Sequence, residues 1–221
     1  MIVSTSTALR LRLRGNESTS DYADVSIWGA QIETGSYPTS YIPTNGAAAT
    51  RLADVCKSAG NVNTFNSSEG VLMAEVSALN DDLSERRFGI SNSTGSNAVR
   101  FGYTSTSNRI VAIVYNGSNQ AVLTYNDATI TDFNKIAFKY KENDFALWVN
   151  GIEVSADSSG SVFTENTLNS LNFNIAGGSH FYGNTKQIQY FQTALTDSEL
   201  EELTSWESFK DMAEGQNYTI K

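Results

Sequence analysis

The sequence predicts an all-β protein: an antiparallel two-sheet sandwich that carries one short C-terminal helix and an N-terminal β-hairpin extension. Three observations lead there. From Ser67 onward, short apolar or alternating segments follow one another in close order, each bounded by Asn, Gly, Ser and Thr. The composition is poor in charge (18%) and rich in aromatics (11%), which suits half-buried strands and polar turns. Only one segment carries a helix-start signal. The lone Cys56 rules out an intrachain disulfide, so burial has to hold the fold together, with this thiol expected to fill a small apolar space.

In chain order, ALRLRLRG (8–15) alternates without a break, with Leu9, Leu11 and Leu13 on one face and Arg10, Arg12 and Arg14 on the other. A polar loop leads to YADVSIWGAQIE (22–33), which has Ala23, Val25 and Ile27 in phase. Residues 1–35 are therefore expected to form a hairpin. A lone hairpin is marginal in water, so it needs further strands, either from this chain or from a neighbouring one. Residues 36–66 have neither period; with Pro38 and Pro43, they form an extended seam and linker held down by Tyr37 and Tyr41. The assembly residues of this region are Leu9, Leu11, Leu13, Trp28, Tyr37 and Tyr41.

Residues 67–206 make the sandwich. EGVLMAEVSA is an apolar run interrupted by Glu75, consistent with a central strand, and RRFGISN, AVRFGYTS, RIVAIVYNG, QAVLTYN, KIAFKYKEN, DFALWVNG and IEVSAD follow. Asn150-Gly151 between FALWV and IEVSA is the signal of a type I′ hairpin. LNSLNFNIAGG and KQIQYFQTAL supply the last strands. Thr196-Asp197-Ser198-Glu199 is a capping box that opens a short helix with Leu200 and Leu203 on one face, ending near Trp206, which anchors it. Phe101, Phe138, Trp148 and Phe173 are expected in the core. Residues 207–221 form a tail.

Two resemblances add to this reading. Residues 69–203 resemble the laminin-G-like, concanavalin A-like lectin domains. The residues that carry it are ALWVNGIEV, Gly183, and the closing QIQYFQTALTDSELEEL, which combines a last core strand, an Ala-Leu turn and a short acidic helix. The resemblance implies a jelly-roll sandwich. WGAQIETGSYPTSYIPTNGAAATRLAD (28–54) is similar to the end of an upstream carbohydrate-binding-like jelly roll in bacteriophage and prophage structural proteins. It implies a virion location and a role in a tail fibre, baseplate or head decoration. The expected partners are other virion proteins, copies of this chain and host glycan.

Charge and chemistry narrow the function. A net charge of −9 argues against nucleic-acid backbones and anionic membranes as partners. No apolar run approaches the length of a membrane span, and MIVSTSTALRLRLRG does not have the layout of a secretory signal. The single histidine, His180, excludes two-histidine metal sites, and no pair of carboxylates alternates along a strand, so no enzyme is expected. Calcium is the one cofactor with candidate ligands: Asp81, Asp82 and Glu85 in the loop NDDLSE. Sugar binding needs an aromatic face with amides or carboxylates beside it. The candidates near loops are Tyr103, Tyr115 with Asn116, and the group His180, Tyr182 and Asn184. The alternative functions are a carbohydrate-binding module of a secreted bacterial protein and a purely structural virion protein without glycan affinity.

Overall fold

The computed structural model describes residues 2–3, 26, 29, 31–33, 40–50, 56–92, 94–175, 179–208 and 210–211. The chain divides into two compact units, 1–54 and 55–221. In the first, β1 (Ile2–Val3) pairs in parallel with β2 (Ile32–Glu33). The Ile42 amide donates to Gln31 Oε1 at 2.7 Å, and Asn45-Gly46 forms a turn with positive φ at both residues. Of the predicted assembly residues, Leu9, Leu11, Leu13, Trp28 and Tyr37 lie outside the described residues, as do both arms of the expected hairpin over most of their length. Tyr41 is 47% exposed.

The second unit is a sandwich of two five-stranded sheets. Its strands are β3 (Glu69–Ala78), β4 (Arg86–Ser91), β5 (Asn97–Tyr103), β6 (Ile110–Asn116), β7 (Asn119–Tyr125), β8 (Asn134–Lys141), β9 (Phe145–Val149), β10 (Ile152–Asp157), β11 (Ser170–Asn172), β12 (Asn174–Ile175), β13 (Ser179–His180) and β14 (Gly183–Phe191). One sheet runs β10-β9-β8-β3-β14, the other β11-β4-β5-β6-β7, and β12–β13 form a small separate pair. Every pairing within this unit is antiparallel. Asn150 (φ 52°) and Gly151 (φ 85°) make the expected type I′ turn between β9 and β10.

Strand alternation explains the layering. Leu72, Ala74 and Val76 of β3, with Ile136 and Phe138 beside them on β8, face Phe88, Ile90, Val99, Phe101 and Ala112 across the main core. The Phe88 ring lies 4.6 Å from Phe101 and 5.1 Å from both Phe173 and Phe181, centroid to centroid. β3 is buried on its other face as well, which is why its sequence does not alternate. There Val71 and Met73 meet Ala137, Ala146, Trp148 and Leu200 of helix α1 (Asp197–Thr204).

The capping box forms as its sequence demands, with Glu199 N donating to Thr196 Oγ1 and Thr196 N donating to Glu199 Oε2. Lys135 Nζ donates to Ser205 O at the other end and lies 5.0 Å from the centre of the Trp206 ring. Glu75, the acid in the middle of β3, is buried too; beside the register shift in β14, Lys186 Nζ lies 2.8 Å from it.

Residues 56–66, assigned to the linker from the sequence, run beside β11 and β14. Ala59 bridges Leu171, Phe65 enters the main core, and Asn66 O accepts from the Tyr140 hydroxyl. Cys56 is exposed, so it fills no apolar space; its carbonyl accepts from Phe173 N.

Tyr103 and Tyr140 are fully buried, and burial raises both phenols above their ordinary value of 10.0. A folded-state acid raised in this way keeps its proton while the unfolded chain loses it. Stability is therefore complete below pH 10 and falls above it, by about 1.4 kcal/mol per pH unit for each tyrosine. Urea midpoints at pH 8 and pH 11 should differ accordingly, and Tyr103→Phe should reduce the slope; a flat profile would contradict the assignment.

Candidate functional site

Two successive strands carry the same triplet, Arg-Phe-Gly: residues 87–89 in β4 and residues 100–102 in β5. The antiparallel register sets Arg87 opposite Gly102, Phe88 opposite Phe101, and Gly89 opposite Arg100. Both phenylalanines point into the core. Both arginines therefore point the other way, onto the outer face of the second sheet, at diagonal positions with a glycine beside each.

The glycines are required by space. A Cβ built on Gly89 would fall 2.2 Å from Val99 O and 2.6 Å from Arg100 Cα, and one on Gly102 would fall 1.9 Å from Arg86 O. Only residues without a side chain allow the two strands to approach like this, and their bareness leaves the arginines lying over open backbone.

The two guanidiniums differ in their partners. Arg87 Nη2 pairs with Glu85 Oε1 at 2.9 Å. Arg100 is partly buried and makes no hydrogen bond or ion pair among the described residues; its guanidinium carbon lies 5.5 Å from the centre of the Tyr115 ring on β6. The Nε atoms of both arginines are buried without a partner. Burial, and then repulsion from Arg87, hold the Arg100 pKa below its ordinary value. Ala98, Val111 and Ile113 alternate onto the same outer face, and Val122 stands exposed beside them on β7. Glu85 Oε2 lies 3.5 Å from Ser179 Oγ, which brings β13 to the rim. The result is a cationic patch on an apolar floor with an aromatic ring, suited to an anion attached to a sugar.

The six residues predicted to bind ligand fall in separate places. Tyr115 belongs to this patch. Tyr103 is corrected to a core residue: it shares the inward parity of Val99 and Phe101, and its side chain is 0% exposed. Asn116 turns away and donates to Val162 O at 2.8 Å. His180 and Tyr182 sit together, ring centres 5.8 Å apart, next to Ser179 at the rim, and Tyr182 is 44% exposed. Asn184 lies on the other sheet from Tyr115, where it donates to Ser77 Oγ of the adjacent strand.

Nor do the predicted calcium ligands converge. Asp81 accepts from Ser107 Oγ and Asn108 N, Asp82 pairs with the buried Arg86, and Glu85 pairs with Arg87. Among the described residues, no group of three or more His, Cys, Asp or Glu side chains is placed to hold a metal ion. Sequence reasoning missed Arg87 and Arg100, although the repeated triplet was there to be found.

The fold is a lectin-like jelly roll. The sandwich is similar to the CBM40 module of the Ruminococcus gnavus IT-sialidase, solved with α2,3-sialyllactose, at 14% identity and a TM-score of 0.53, covering 69% of this chain and 96% of that module. A heptameric SAP-like pentraxin from Limulus polyphemus matches at 10% identity and a TM-score of 0.52, covering 70% of this chain and 76% of the pentraxin. The leech intramolecular trans-sialidase matches at 16% identity and a TM-score of 0.50, covering 65% of this chain but only 24% of the enzyme. At these identities the likeness is one of fold. No family model and no curated protein matches the sequence.

Proposed function

We propose that residues 55–221 form a non-catalytic glycan-binding module whose outer-sheet arginine pair takes an acidic sugar. One observation carries the reading: Arg100 is a partly buried cation that the protein itself leaves without a hydrogen-bonding partner among the described residues. A sheet face gains nothing in stability from such a group, and an incoming carboxylate would satisfy it with charge-assisted bonds. The half-buried Tyr115 and the exposed Val122 offer a surface for the less polar side of a sugar ring. The lectin-like fold supports this reading, and the sialyllactose bound to the bacterial module suggests a first ligand.

The glycan-binding half of the attachment role expected from the sequence is retained here. The virion half rests on the resemblance of residues 28–54 alone. A secreted carbohydrate-binding module accounts for the sandwich equally well.

Isothermal titration calorimetry with 3′-sialyllactose and with lactose tests the proposal. Binding of the acidic sugar on the order of 1 mM Kd is expected, worth about 4 kcal/mol and sufficient for linked copies. It should weaken with added salt, while lactose stays silent. Equal binding of both sugars would refute a charge-based site. No binding of any acidic sugar would favour the purely structural alternative.

A further inference from the structure

We propose that Glu85 sets the charge of the ligand, confining the Arg87–Arg100 site to singly charged acidic sugars and turning away multiply sulfated ones. This rests on the glycan-binding reading above. The Arg-Phe-Gly triplets make the two arginines equivalent in backbone position, and Glu85 makes them unequal. Its Oε1 holds Arg87 at 2.9 Å, while Arg100 makes no ion pair among the described residues and feels the Glu85 charge only from farther away. The other carboxylate oxygen lies 3.5 Å from Ser179 Oγ, so Glu85 stands at the rim, tethered between β4 and β13, with its side chain 45% exposed to an approaching ligand.

The neighbouring acids do not share this role. Asp82 is taken up by Arg86, which turns inward and is 2% exposed, and Asp81 is bonded to Ser107 and Asn108. Two guanidiniums against one carboxylate leave a single net positive charge on the patch. A monocarboxylate cancels that charge. A second anionic group on the same sugar finds no cation left over and faces the Glu85 carboxylate at short range, where like charges repel strongly because the site is only partly wet. Specificity here comes from a built-in repulsion as much as from the attraction of the arginines.

The test compares the unmodified protein with Glu85→Gln, which keeps the size and polarity of the side chain and removes the charge. The probes are 3′-sialyllactose and a multiply sulfated heparin disaccharide at one fixed ionic strength. The unmodified protein should prefer sialyllactose. Glu85→Gln should bind the heparin disaccharide about tenfold more tightly than the unmodified protein does, with a smaller change for sialyllactose. Glu85→Ala, with its unfolding midpoint checked, should show the same gain. Unchanged heparin affinity in both variants, or a preference of the unmodified protein for heparin, overturns the role of Glu85 and leaves the glycan-binding reading intact if sialyllactose still binds. Failure of every protein to bind either probe overturns both.

Discussion

Arg100→Gln is expected to lower affinity for an acidic glycan by about 10- to 100-fold, the range for losing a charge-assisted hydrogen bond. Against a weak starting affinity, that is loss of measurable binding. The same substitution should leave the unfolding midpoint unchanged or raise it. In the folded protein Arg100 is partly desolvated, repelled by Arg87 and without a partner for its buried Nε, so its charge costs the fold more than it returns. A neutral side chain of similar length removes that cost. Arg87→Gln should be gentler on binding, because Glu85 already engages Arg87, and harsher on stability, because Glu85 loses its partner. Calorimetric titration beside thermal unfolding separates the two effects. A large loss of stability in Arg100→Gln would mean that Arg100 is structural.

Phe88→Ala should destabilise the sandwich by about 3–5 kcal/mol, a large share of the roughly 5–15 kcal/mol that holds a typical domain together. Phe88 is fully buried and touches three other phenylalanine rings, from β5, from the β11–β12 turn and from the approach to β14. Its removal leaves a void that strands pinned by backbone hydrogen bonds cannot close. Urea denaturation with an unchanged m-value and a much lower midpoint is the expected signature. A loss below about 1 kcal/mol would show that the ring cluster is not a single packing unit.

The strength of each local signal decided what the sequence could reveal. Asn150-Gly151 has one favoured geometry, and the Thr196–Glu199 box has two reciprocal bonds written into four residues, so both were legible without any tertiary information. β3 was legible as a central strand because burial on both faces abolishes alternation. Tyr103 was misjudged because proximity to a loop was weighed above parity, although Val99, Phe101 and Tyr103 share one face and place Arg100 on the other. Arg87 and Arg100 escaped because an arginine on an exposed strand face is ordinary. What makes them unusual is the register, which sets each against a glycine of the neighbouring strand, and register depends on a loop whose length says little. Residues 56–66 close the stretch expected to be seam and linker, and the bridge of Ala59 to Leu171 and the bond from Phe173 N to Cys56 O use backbone atoms, which carry no sequence signature.

The position of β3 has a consequence for how the chain is made. Its partners in the sheet are β8 and β14, so Val71, near the start of the sandwich, must wait for Phe191, near its end. On a ribosome, one edge of β3 stays open, and the apolar face formed by Val71, Met73 and Trp148 stays uncovered, until almost the whole domain has emerged and α1 can close over it. No earlier fragment contains a complete five-stranded first sheet. Such a chain acquires its native structure late and slowly, exposed meanwhile to wrong partners, so the yield of folded protein should depend on how the cell shelters nascent chains.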